Sequence, residues 1–267
     1  YDMKICFSTL GCPEWSFAEI VSVASDLGYN GIEFRGVQNE LYAPNIEAFS
    51  PANAEATRRR FEQLSLEISC LSSSCNLNND DDIEKAKAYV DTAARIGAPY
   101  IRLLGDLEPA PSDEDVSLKK VIGNLLEVAD YARDKNVTPL IETNGFFAKT
   151  KALGALFRKE LANENVGILY DIHHPYRFFN EEPAYTIDNI GPFVRHVHLK
   201  DSVMEGKKVR YRMLGEGDIP VAEAVRLLNK AGYRGFYSLE WVKRWDLSLE
   251  EPGIAFAHYK QFMDALE

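Results

Sequence analysis

Cysteine is scarce in this sequence. The four present, Cys6, Cys12, Cys70 and Cys75, form no C-x-x-C pair, which argues against a zinc framework or a set of disulfides. Cys6 and Cys70 fall inside apolar, strand-like runs and read as small buried hydrophobes, while Cys12 and Cys75 lie near the ends of such runs. No apolar run approaches the roughly 18 residues of a membrane span. Residues 1–9 enter a strand-like stretch directly, with no signal-peptide pattern. The expectation is therefore a cytoplasmic protein with no membrane partner. Basic residues are outnumbered, 30 Lys and Arg against 41 Asp and Glu, for a net charge of −11, so no nucleic-acid partner is expected either. No strand-like run leads into G-x-G-x-x-G or a P-loop, and no linker rich in Pro, Gly or Ser divides the chain.

What the sequence does have is an alternation of short β-rich runs with longer amphipathic ones, from end to end. The pattern predicts strands over 4–9, 31–35, 67–73, 100–104, 138–142, 166–171, 194–200 and 236–240. It predicts helices over 17–27, 51–65, 82–96, 117–135, 149–161, 185–190, 221–231 and 252–266. Gly28 and Gly97 follow helices as C-caps do, and Gly31 and Gly235 open strands after the related runs "LGYNGIEF" and "AGYRGFYSLE". Ser16 is an N-cap candidate, with Glu19 three residues on. Eight β/α units in 267 residues predict a single-domain (β/α)₈ TIM barrel over 1–267, since such barrels take about 250 residues. Loops 36–50, 105–116 and 202–217 follow strands and belong at the active-site mouth of such a barrel; "KKVRYRM" in the third is a candidate hairpin strand.

Four late strands end in ionisable residues: Glu142, Asp171, His198 and Glu240. Their spacings are 29, 27 and 42 residues, and a barrel unit is about 30. The first two steps are one unit each and the third is one unit plus a long loop, so the four converge at one end of the barrel. Three carboxylates and one imidazole make an oxygen-rich site for one divalent cation, Mn²⁺ first, with Mg²⁺, Co²⁺ or Zn²⁺ as alternatives. Without a cation three adjacent carboxylates repel one another.

Other residues are candidates for the same mouth. His174 follows the Asp171 strand and is a candidate substrate contact; His173 beside it reads more readily as a hydrogen-bonded loop residue. Period two places His196, His198 and Lys200 on one strand face. Lys200 either stabilises an oxyanion or extends outward, and His196 reads as a buried core residue. Glu33 closes the second strand and is a candidate for the mouth. Arg102 must be paired if buried. Trp241, and less directly Trp15, are candidate walls for a sugar ring. Asp218 is a candidate cap for the helix opened by Pro220. Lys207, Lys208, Arg210 and Arg212 either bind a phosphate or form a solvated face.

The segments "GYNGIEFR", "PLIETNG", "ILYDIHHP", "HVHLKD", "LGEGDIP" and "GFYSLEW" together resemble the xylose-isomerase-like barrel superfamily, in particular its sugar phosphate isomerase/epimerase branch. The resemblance implies that Glu142, Asp171, His198 and Glu240 hold the metal and that His174 points at the substrate. It also implies a choice of activities, because the branch includes ketose 3-epimerases, hydroxypyruvate isomerase, inosose and dehydroshikimate dehydratases, and a three-zinc apurinic endonuclease. The endonuclease takes extra His ligands from its third and fourth strands. Here those strands end "LSSSC" and "RLLGD", and no D-x-H pair follows "HLKD", which argues for one metal and against the nuclease. The expected function is a metal-dependent isomerase or epimerase of a sugar, sugar phosphate or polyol. It would abstract a proton next to a carbonyl through a metal-stabilised enediolate, with Glu142 and Glu240 as the acid/base pair. A dehydratase of a keto-polyol is second and a non-catalytic sugar-binding barrel third. A homo-oligomer is compatible with the sequence.

Overall fold

The computed structural model describes residues 2–108 and 117–267; most of the expected loop 105–116 lies outside the described residues. The elements run in the order β1 (Lys4–Ser8), α1 (Phe17–Asp26), β2 (Gly31–Phe34), α2 (Ala54–Gln63), β3 (Glu67–Asn76) and α3 (Ile83–Ile96). Next come β4 (Tyr100–Leu104), α4 (Leu118–Ala132), β5 (Thr138–Glu142), α5 (Thr150–Leu156), β6 (Gly167–Asp171), α6 (His173–Phe179) and α7 (Pro183–Ile190). The chain closes with β7 (Val194–Leu199), β8 (Asp201–Glu205), β9 (Lys208–Arg212), α8 (Val221–Lys230), β10 (Phe236–Leu239) and α9 (Pro252–Asp264).

Eight strands close into a parallel barrel in the order β1-β10-β7-β6-β5-β4-β3-β2, which is the (β/α)₈ fold the alternation predicts. β8 and β9 form a separate antiparallel hairpin, the one foreshadowed by "KKVRYRM". Among the described residues no helix is long and apolar enough to cross a membrane.

The strand alternation divides the interior into two chemistries. Phe7, Ile32, Phe34, Leu71, Ile101, Leu103, Ile141, Ile168, Val197, Leu199, Tyr237 and Leu239 belong to the continuous apolar core, which burial between sheet and helices stabilises. The alternate positions point into the barrel and are largely polar. His196 Nε2 on β7 lies 3.2 Å from Ser69 Oγ on β3, and Cys6 Sγ on β1 lies 3.3 Å from the same hydroxyl. Neither β7 nor β1 neighbours β3, so both contacts cross the interior.

Local signals place the helices. Ser16 accepts the Glu19 N–H and donates its hydroxyl to the Glu19 carboxylate, a side-chain N-cap at the start of α1. Gly97 ends α3 at φ 80°, a left-handed conformation that favours glycine. Two local expectations are corrected. Residues 173–179 form the short helix α6 rather than a loop. Asp218 does not cap α8, whose N-cap Pro220 has no side-chain cap; it pairs with Arg177 instead. The loop before α8 is held by Asp201, whose carboxylate accepts the N–H groups of Ser202, Gly215, Gly217 and Ile219.

Gly31 opens β2 where it pairs with Glu67 of β3. A Cβ there would lie 2.7 Å from the Glu67 carbonyl oxygen, a clash with backbone. Gly31→Ala is therefore expected to destabilise the fold by about 1–3 kcal/mol, read as a lower urea midpoint at unchanged slope. An unchanged midpoint would show that β2 and β3 separate freely.

Candidate metal centre

Glu142 and Asp171 are the last residues of β5 and β6, His198 is the penultimate residue of β7, and Glu240 directly follows β10. These strands are consecutive neighbours in the barrel, so the four side chains form an arc at its C-terminal mouth. All are buried. His198 Nδ1 is the hub, 3.1 Å from Glu240 Oε2, 3.3 Å from Glu142 Oε1 and 3.6 Å from Asp171 Oδ2. Glu142, Asp171 and His198 bring ligand atoms within 4.8 Å of one another.

The other side of the imidazole decides what Nδ1 can do. Nε2 lies 2.9 and 2.8 Å from the two oxygens of Glu33 and donates its proton to that carboxylate. Nδ1 is buried yet makes no hydrogen bond, although oxygens of three residues lie close. It is aligned with none of them, as a ligand lone pair aimed at a shared centre would be. A carboxylate behind a ligating imidazole fixes the tautomer and raises its basicity. Three oxygens and one nitrogen therefore fit a divalent cation.

Two cations balance the carboxylates. Arg102 Nη1 lies 3.1 Å from Glu142 Oε1, and Arg102 Nη2 donates to the Ser73 carbonyl at 2.7 Å. Lys200 lies 3.1 Å from Asp171 Oδ2 and pairs with Glu240 Oε1. Burial alone would raise the Glu142 carboxyl, but Arg102 and His198 outweigh it and hold it at about 2. Asp171 also stays well below the ordinary carboxylate range, its burial overcome by His174, Lys200 and His198. Burial disfavours charge on His198, yet Glu240 and Glu33 drive its pKa well above the ordinary value. The cluster by itself thus keeps a proton on His198, which a divalent cation would replace.

Above the cluster is a cavity of about 700 Å³ whose wall includes Glu142, Glu240, His174, Lys200 and Arg102. His174 Nε2 stands 3.6 Å from Asp171 Oδ2. His173 does not line the cavity; its ring bridges His174 Nδ1 at 3.0 Å and Ser202 Oγ at 2.7 Å. His196 is buried, as expected, near Glu33 and Ser69.

Two expected substrate contacts lie elsewhere. Glu33 is fully buried and bonded to His198 and Ser72; it is below the mouth because the second strand delivers it to the barrel interior. Trp241 is turned outward: it is buried, its Nε1 donates to the Glu250 carbonyl at 2.9 Å, and it packs in the outer core. Glu240 faces the mouth, so its neighbour takes the opposite face. Trp15 packs edge-on against Phe256 and is also away from the cavity wall. The aromatic wall is Trp245 with Tyr211, neither of which carried a strand-end signal. Lys208 and Arg210 line the cavity; Lys207 does not.

The family described as "Xylose isomerase-like TIM barrel" matches residues 21–262. A fructoselysine 3-epimerase from Shigella flexneri is 25% identical over 94% of this chain and 94% of its own length. An inosose dehydratase from Serratia proteamaculans is 26% identical over 51% of each chain. A xylose isomerase-like TIM barrel protein from Mycobacterium smegmatis, solved in complex with magnesium, superposes with a TM-score of 0.73 at 16% identity over 99% of this chain and 96% of its own. With the match spanning nearly all of the barrel that holds the cluster, the chain belongs to the xylose isomerase-like TIM barrel family.

Proposed function

We propose that this protein is a divalent-metal-dependent epimerase or isomerase of a sugar or polyol, working by proton transfer next to a carbonyl. The carrying observation is the arc Glu142–Asp171–His198–Glu240 around a lone nitrogen. The epimerase relative supports the same reading, and the cavity volume of about 700 Å³ lies in the range of small-molecule sites.

Glu142, Asp171, His198 and Glu240 would hold the metal. When bound, a divalent cation supplies Lewis acidity to substrate oxygens and stabilises the negative charge that develops on deprotonation. Glu142 and Glu240 are the outer members of the arc, separated by β6 and β7, and so reach a substrate from two sides. Arg102 and His198 both approach Oε1 of Glu142, leaving Oε2 to take or return a proton. Lys200 pairs with Glu240 Oε1 and holds that carboxylate at the opposite end of the arc for the second proton transfer. His174 and Lys200, both on the cavity wall, orient substrate oxygens. Return of the proton to the opposite face gives epimerisation; return to the neighbouring carbon gives isomerisation. The inosose dehydratase relative favours a second reading, in which loss of a β-hydroxyl follows the same first step.

Binding of Mn²⁺ is expected to release about one proton, displaced from His198. Calorimetry in buffers of different ionisation enthalpy measures this, and metal binding without proton release would remove His198 from the ligand set. Glu142→Gln and Glu240→Gln should each lower kcat by about a hundredfold or more with little change in KM; full activity in either would remove that residue from proton transfer. Turnover of a ketose and cyclic-polyol panel with Mn²⁺ in D₂O should place deuterium on the carbon next to the carbonyl, read by NMR. Unlabelled product would overturn solvent-exchanged proton transfer, and loss of a hydroxyl would select the dehydratase.

A further inference from the structure

The cavity wall carries a positive charge that the proton chemistry leaves unused. Arg102 is paired with Glu142, Lys200 with Asp171 and Glu240, and Arg210 with Glu205. Lys208 is exposed to solvent. Arg35 differs from all of these. It lines the cavity and is only 9% exposed, yet among the described residues no carboxylate pairs with it. Buried charges are ordinarily paired, because desolvation is costly otherwise.

A guanidinium has five N–H donors. That of Arg35 makes one long hydrogen bond to protein, from Nη1 to the Leu41 carbonyl at 3.4 Å. Among the described residues Nε and Nη2 have no protein acceptor. Its plane is flanked by the Trp245 ring, 6.0 Å from the guanidinium carbon. Burial and the nearby charge of Arg102 lower its pKa to about 10, with Tyr89 and Glu240 only partly offsetting them. Asp246, also on this rim, is engaged by Ser248, whose hydrogen bonds lower its pKa with smaller contributions from Arg210 and Lys208. The backbone under Arg35 is fixed: its N–H donates to Thr9 Oγ1 at 2.9 Å, and that hydroxyl donates to the Gly36 carbonyl at 2.6 Å. Arg35 directly follows β2, which stands opposite β6 in the eight-strand circle, so it lies across the mouth from Asp171.

We infer that Arg35 is the docking point for an anionic group, a carboxylate or a phosphate, carried by the substrate on the side of the mouth opposite Asp171. This rests on the reading of the cavity as a sugar or polyol site and narrows it to acidic sugars or polyols. Charge-assisted, two-pronged contacts to a guanidinium supply the selectivity.

The test is affinity, by calorimetry in Mn²⁺ at fixed ionic strength, for D-fructose, D-fructose 6-phosphate and D-fructuronate. These three share a carbon skeleton and differ at the terminal group. At least one anionic probe should bind about tenfold or more tighter than fructose; which one does so identifies phosphate or carboxylate. Arg35→Gln should bring that probe to within about twofold of fructose and leave fructose affinity unchanged. If the Gln variant does not fold, Arg35→Lys decides: it should weaken the anionic probe alone. Three equal affinities, no binding of any probe, a preference that survives Arg35→Gln, or undiminished anion binding in Arg35→Lys would each overturn the assignment. Because these readouts need no turnover, failure of deuterium incorporation would leave them interpretable, and incorporation without anion preference would sink the Arg35 assignment alone.

Discussion

The bond from His198 Nε2 to Glu33 is the constraint on which the rest of the site depends. It joins β7 to β2 across the barrel interior, with both partners fully buried. A buried carboxylate is costly unless its oxygens are occupied, and here Ser72 Oγ at 2.5 Å and the His198 ring occupy them. Once Nε2 is committed below, Nδ1 has only the mouth to face. The geometry of the three surrounding carboxylates then acquires meaning as a ligand set rather than as a crowd of like charges.

That arrangement is affordable because the apolar core lies on the other side of the sheet. Phe34, Leu71, Ile141, Tyr170, Val197 and Leu239 pack outward against the helices, where area removed from water stabilises the fold. The barrel lumen is thereby free to hold Glu33, Ser69, Ser72, His196 and His198. Arg102 and Lys200 serve the same balance from above, each shared between a carboxylate and a second acceptor. The centre is thus built from opposed charges held by strands that the outer layer keeps in register.

The barrel and the arc were readable because they repeat. Glu142, Asp171 and Glu240 each end an apolar run, and a recurring unit places such residues side by side. Trp241 was readable too, since alternation along 239–241 puts it opposite Glu240; its aromatic character drew it wrongly into the mouth. Glu33 was less so: alternation with Ile32 and Phe34 turns it inward, but its height depends on the register of β1, β2 and β3, including the shift between Ile32 and Glu33. Nothing in the pattern singles out Asp201. Three of its backbone partners lie 14–18 residues downstream, and no periodicity announces them. Trp245 lies past β10, where spacing rules no longer apply.

The hairpin β8–β9 stands apart from the barrel ladder, and its root is Asp201 and Ser202. Ser202 Oγ meets both the His173 ring and Arg177 Nε, at 2.7 and 3.1 Å, and His173 in turn abuts His174. The second strand of the hairpin bears Lys208, Arg210 and Tyr211 on the cavity wall, while its root is wired to a side chain beside the cluster. A hairpin outside the barrel ladder can therefore change what the mouth accepts, through Lys208, Arg210 and Tyr211, without moving a barrel strand. Substitution at Ser202 would be of another order, since one hydroxyl there joins the hairpin to His173 and Arg177 of α6.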